Sequence, residues 1–127
     1  MKSMFRLACV ALLSAGPALA DGAVQLPEIP ELGTEASVEL LTRLVVANVV
    51  SQNCEGFAIS EAEYDLLAGS AGIIADRFQL DPAQYNQMFL HPAYGILSSE
   101  GGCAEEGPDI AVLLEQLGEW GGVVTPE

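Results

Sequence analysis

The sequence predicts an all-α protein, a small bundle of about four helices stapled by one disulfide. Three observations carry this reading. Apolar residues recur at helical spacing in four separate stretches. Two of those stretches open on a capping box, Ser60-Glu61-Ala62-Glu63 and Asp81-Pro82-Ala83-Gln84. Beyond an N-terminal leader only two cysteines remain, Cys54 and Cys103. With 127 residues, 50 % of them hydrophobic, the chain has the length of one domain and enough apolar side chains for a packed core.

Residues 1–20 read as a secretory signal peptide. Lys2 and Arg6 form a positive start, Leu7 to Leu13 is a short apolar run, Gly16 and Pro17 break it, and Ala18-Leu19-Ala20 is a small-x-small cleavage pattern before Asp21. The run is about half of what spans a bilayer, and no later segment is apolar for longer. Cys9 lies within that run, and Arg6 stands where a lipid-attachment motif wants leucine. The expected product is therefore exported and periplasmic, without a membrane span.

The mature chain starts with an extended acidic lead, residues 21–33. Pro27 and Pro30 in Leu26-Pro27-Glu28-Ile29-Pro30-Glu31-Leu32 fix extended backbone and forbid a helix. The helical domain follows over 34–120. Its first helix is expected to start near Thr34 as N-cap and to end near Asn53, with Val38, Leu41, Leu44, Val45 and Val49 at helical spacing. Leu40, Val46 and Val50 make this segment apolar on nearly every side, and Val45-Val46 with Val49-Val50 would also suit a strand. Its length and the polar interruptions Glu39, Thr42, Arg43 and Asn48 favour a buried helix.

The second helix starts at the Ser60 box and carries Tyr64, Leu67, Ala68, Ala71, Ile74, Ala75 and Phe78 on one period. Gly69 and Gly72 lie inside it and are expected to admit a neighbouring helix. The third opens at Asp81 with Pro82 in its first turn, turns Tyr85, Met88 and Phe89 to the core, and ends or kinks at Pro92 near His91. A further turn runs through Tyr94, Ile96 and Leu97. The last helix, from about Pro108 or Asp109 to Leu117, carries Ile110, Leu113, Leu114 and Leu117, with Gly118 as the expected left-handed terminator. Residues 121–127 read as a flexible tail.

Charge narrows the partners. The net charge is −14, and cleavage after Ala20 removes Lys2 and Arg6 but no acid, which leaves −16 on a chain whose cations are Arg43 and Arg77. Nucleic acid and anionic membranes would be repelled. A solvating surface, a basic protein partner or a cation fits this charge, on a monomer or homodimer. Two cysteines in an oxidising compartment read as one disulfide, Cys54–Cys103. There is no Cys-x-x-Cys pair for redox work, and two thiols with one histidine fall short of a zinc set.

Chemistry is sparse. His91 is the single histidine, and general-base work needs a positioned partner. Ala68-Gly69-Ser70-Ala71-Gly72 has the outline of a nucleophile elbow but falls inside a predicted helix. Glu61, Glu63 and Asp65, and likewise Glu105, Glu106 and Asp109, match no calcium loop. The expected protein is not an enzyme, needs no cofactor and holds no metal. The contact candidates for protein partners are Phe57, Tyr64, Phe78, Phe89 and Trp120.

One layout resembles a known family. Asn53-Cys54-Glu55-Gly56-Phe57, then Cys103, then Gly118-Glu119-Trp120 after a helix, looks like the HdeA-type periplasmic acid-stress chaperones over roughly Cys54 to Trp120. The chain is also similar to an uncharacterised family of small exported helical proteins of alphaproteobacteria. The chaperone resemblance implies a disulfide-held helical fold that loosens in acid and holds denatured clients on apolar surface. It departs from that family in lacking lysine after residue 2 and in having a helix before the first cysteine. The expected function is non-enzymatic binding of other proteins through apolar helix faces; the alternative is an acidic accessory subunit docking on a basic periplasmic partner.

Overall fold

A helix that is apolar on every face is stable in water only when neighbours cover all of it. That constraint organises the chain in the computed structural model, which describes residues 23–125. Helix α1 spans Thr34–Asn53, and every residue from Leu44 to Ser51 is buried. Around it pack α2 (Glu61–Arg77), a π-helical stretch (Asn86–Leu90) between α3 (Pro82–Tyr85) and α4 (His91–Leu97), α5 (Gly102–Glu106) and α6 (Asp109–Glu119). Only a helix could present side chains to so many neighbours, so the strand alternative for the valine-rich segment is excluded. Leu41, Leu44, Leu67, Ile74, Leu113 and Leu117 form the fully buried centre. The predicted leader lies outside the described residues.

Both capping boxes form. The Ser60 hydroxyl accepts from the Glu63 N–H at 3.1 Å, and the Glu63 carboxylate accepts from the Ser60 N–H at 2.9 Å. Asp81 and Gln84 repeat the exchange at 2.8 and 2.9 Å. Each box satisfies two backbone donors that the first turn of a helix leaves without partners. The bridge joins Cys54, just past the end of α1, to Cys103 in α5, with the Cα atoms 5.7 Å apart.

Several local expectations are corrected. Gly33, not Thr34, is the N-cap of α1, since glycine takes the extended cap conformation there and its carbonyl accepts from Ser37 N–H at 2.9 Å. Val38 faces solvent. Pro92 does not end its helix. The chain shifts register upstream, where the His91 N–H reaches back five residues to the Asn86 carbonyl, and the helix then runs through the proline to Leu97. The wider turn takes Met88 off the core face, leaving it exposed, while Phe89 and Ala93 stay buried. Gly118 lies within α6. The left-handed residue is Gly121, φ 98°, in a Schellman motif where the Gly122 N–H bonds the Leu117 carbonyl at 2.8 Å and Gly121 N–H bonds Gly118 at 3.0 Å.

The lead and the expected tail are parts of the fold. Val24–Gln25 (β1) pairs antiparallel with Val123–Val124 (β2), Val24 opposite Val124. Between β1 and α1 the chain forms a strap whose Pro27 and Ile29 are buried. The Glu28 N–H donates to the Trp120 carbonyl at 2.8 Å, and Arg77 donates to the carbonyls of Ile29 and Pro30. Gly69 admits this strap rather than a helix: a Cβ there would lie 2.5 Å from Leu26 Cδ2. Gly72, by contrast, faces open space.

Replacing both Cys54 and Cys103 by serine is expected to lower stability by about 4 kcal/mol through the entropy of the released loop, read as a shifted urea midpoint. Ile29→Ala, which strips the strap of its buried anchor, is expected to lower it by about 2–4 kcal/mol in the same titration. Ser70, fully buried with an unpartnered hydroxyl, gives the opposite sign: Ser70→Ala should raise stability by about 1 kcal/mol, because no hydrogen bond is lost with the oxygen.

Candidate functional site

The fold disperses the five aromatic contact candidates. Phe89 is a core residue, 7 % exposed, and is not available to a partner in this conformation. Phe57 is half-buried with its ring against Gly107, where no side chain would fit. Tyr64 lines a shallow depression with Ile59 and Gln52. Phe78 lines another with Leu32 and Arg77 beneath the strap. Trp120 closes the C-terminus of α6. No single surface joins these five.

A different set does converge. The end of α2, the loop after it and the α3–π segment border an open, shallow groove of about 370 Å³. Its walls are Ala75, Leu80, Tyr85 and Leu90, its floor is opened by Gly72, and Asp76 and Asp81 stand at its edge. The local sequence explains this shape. The α2 helix ends at Phe78, whose N–H still reaches Ile74, and Gln79 takes a positive φ of 55°. The chain reverses there, and the Asp81 box starts α3 alongside α2. The π turn then carries Leu90 to the same wall as Tyr85. Tyr85 also stacks at a tilt on Phe89, with ring centroids 6.3 Å apart, which anchors the wall to the core.

Sequence reasoning missed Leu80 and Leu90, which belong to no regular apolar stripe, and assigned Tyr85 wholly to the core. The one available signal was Pro92, which requires an adjustment of the preceding turn.

Electrostatics follows from the scarcity of cations. Arg43 on α1 makes two hydrogen bonds, at 2.9 and 2.7 Å, to Asp109 in the first turn of α6. Arg77 is turned to the strap carbonyls. Hydrogen bonding to Asp109 is the main reason that the Arg43 guanidinium is held charged above its ordinary range. Arg43–Asp109 is the one ion pair among the described residues, so neither Asp76 nor Asp81 has a cation. In the groove, burial pushes the Tyr85 hydroxyl above the ordinary 10.0, and nearby Tyr64 adds to the shift.

The remaining chemical candidates do not assemble. His91 is exposed beside Ala83, Asn86 and Gln87. Ser70 of the elbow-like stretch is buried inside α2. Among the described residues no group of three His, Cys, Asp or Glu is placed to hold a metal ion, and no helix is long and apolar enough to cross a membrane. Fold and groove together define a small disulfide-linked helical protein with an acid-edged apolar groove. Comparisons with protein-family models, with curated proteins and with solved structures find no match.

Asp109→Asn is expected to cost only about 0.5–1 kcal/mol in urea unfolding, because the two side chains are 38 and 31 % exposed and water screens the pair. Tyr85 sets an alkaline limit. Its raised value means that its contribution is full below 10.0 and is lost as pH climbs through the folded-state value. Tyr85→Phe should flatten that alkaline loss, and absorbance titration of the tyrosines should lose its late-ionising component.

Proposed function

We propose that the chain is a non-enzymatic periplasmic protein that binds other proteins, taking up their apolar segments in a chaperone-like way. The observation that carries this reading is the groove, where Leu80, Tyr85 and Leu90 present apolar surface beside an otherwise strongly acidic exterior. The disulfide fits an oxidising compartment, and the signal-like leader fits export. Resemblance to HdeA-type chaperones in the layout of Cys54, Phe57, Cys103 and Trp120 supports an acid-stress setting, with the Cys54–Cys103 bridge holding α1 to α5 while the bundle loosens.

A second reading, an acidic accessory subunit docking on a basic periplasmic partner, is favoured by the engagement of both Arg43 and Arg77 in internal contacts. With 18 acidic residues against two arginines that are already engaged, the surface meets a partner almost wholly as an anion.

Light scattering of an acid- or heat-aggregating client, near neutrality and in strong acid, tests the first reading. The protein should suppress aggregation at a near-stoichiometric ratio, and reduction of Cys54–Cys103 should weaken the effect. Aggregation that proceeds unchanged at both pH values would remove the chaperone reading. A salt-sensitive partner captured from periplasm would then favour the second.

A further inference from the structure

Resting on the reading that this protein binds other proteins, we propose that the groove between α2 and the α3–π segment takes a segment of another exported protein in which large apolar side chains alternate with lysine or arginine. The apolar side chains would occupy the space between Ala75, Leu80, Tyr85 and Leu90. The cations would meet Asp76 and Asp81 at the edge.

Charge complementarity selects this occupant. Asp76 makes no side-chain hydrogen bond or ion pair among the described residues. Asp81 uses one carboxylate oxygen, Oδ1, to cap α3 at Gln84, and its other oxygen makes no hydrogen bond among the described residues. A purely apolar segment would leave both carboxylates beside a dehydrated surface without a counter-charge, which is unfavourable. A second copy of this chain is a poor occupant for the same reason. After the leader its side-chain cations are Arg43, paired with Asp109, and Arg77, held on the strap carbonyls, so a second copy has no lysine- or arginine-rich segment to offer. The cation therefore has to come from a different protein. The π turn supports a binding role for this wall, because such insertions in helices recur at functional sites.

Gly72 supplies the decisive variant. A Cβ there would meet nothing within 4 Å, so Gly72→Leu starts from open space and projects its side chain into the groove. Leucine is also a better helix former than glycine, so the variant should melt no lower than the parent. Asp76→Asn with Asp81→Asn removes the edge charge and keeps the α3 cap, since asparagine caps as well as aspartate.

The experiment is fluorescence anisotropy of a short labelled peptide of alternating leucine and lysine, titrated with the oxidised, exported protein. Two control peptides replace every lysine by glutamate or every leucine by serine. The leucine–lysine peptide should bind, and both controls should bind at least about tenfold more weakly. Gly72→Leu should abolish binding at unchanged or raised melting temperature. The double asparagine variant should bind about tenfold more weakly and lose most of its salt dependence. Equal binding of the leucine–glutamate peptide, equal binding of the serine–lysine peptide, or unaltered binding by Gly72→Leu would each overturn the proposal. Client aggregation is followed in parallel with the same variants. Protection that survives alongside a failed peptide series refutes this occupant and leaves the chaperone reading in place, whereas loss of protection in the parent protein refutes that reading itself.

Discussion

Most of this structure is arranged to cover α1. From Leu44 to Ser51 the helix has no wet face, and removing any neighbour would expose aliphatic surface to water. This explains why short pieces such as α5 and the π-helical stretch persist although neither is long enough to be a stable helix alone. They are held by what they cover. Ser51, within the buried part of α1, is accommodated locally. Ser51 turns its hydroxyl to the Asn48 carbonyl at 3.0 Å, so that much of the burial cost of this group is offset locally.

The two arginines show how a chain of extreme charge still makes specific polar contacts. One fastens the start of α6 to α1, with its carboxylate partner at a helix N-terminus where the dipole also favours negative charge. The other fastens the strap through backbone carbonyls, a use that needs a fork of donors more than a charge. The remaining acids give the exterior one dominant sign of charge. The groove is thus an apolar surface set in a strongly anionic exterior.

The elements with local causes were legible in the sequence. Ser60 with Glu63, and Asp81 with Gln84, announce helix starts because side chain and backbone exchange hydrogen bonds over three residues. The Cys54–Cys103 pair follows from number and compartment. Features decided by distant packing were not legible. Proline spacing shows that the lead is extended but not that Ile29 is buried or that Arg77 grips it. The response to Pro92 could be a break, a kink or a wider turn, and only the need to keep Phe89 and Ala93 on the core resolves it. The groove was invisible for the same reason: Leu80 and Leu90 lie outside the apolar stripes, and their meeting depends on the reversal at Gln79 and the π turn together.

The pairing of β1 with β2 has a consequence for how the molecule is completed. Val24 and Val124 stand near opposite ends of the sequence, so this clasp is among the most non-local contacts in the fold. A polypeptide delivered one end first cannot pair β1 with β2 until its last helix and the Gly121 turn have emerged. This clasp is therefore the closing stitch of assembly, and until it is drawn the lead is held only by what it touches on α2, at Gly69 and Arg77.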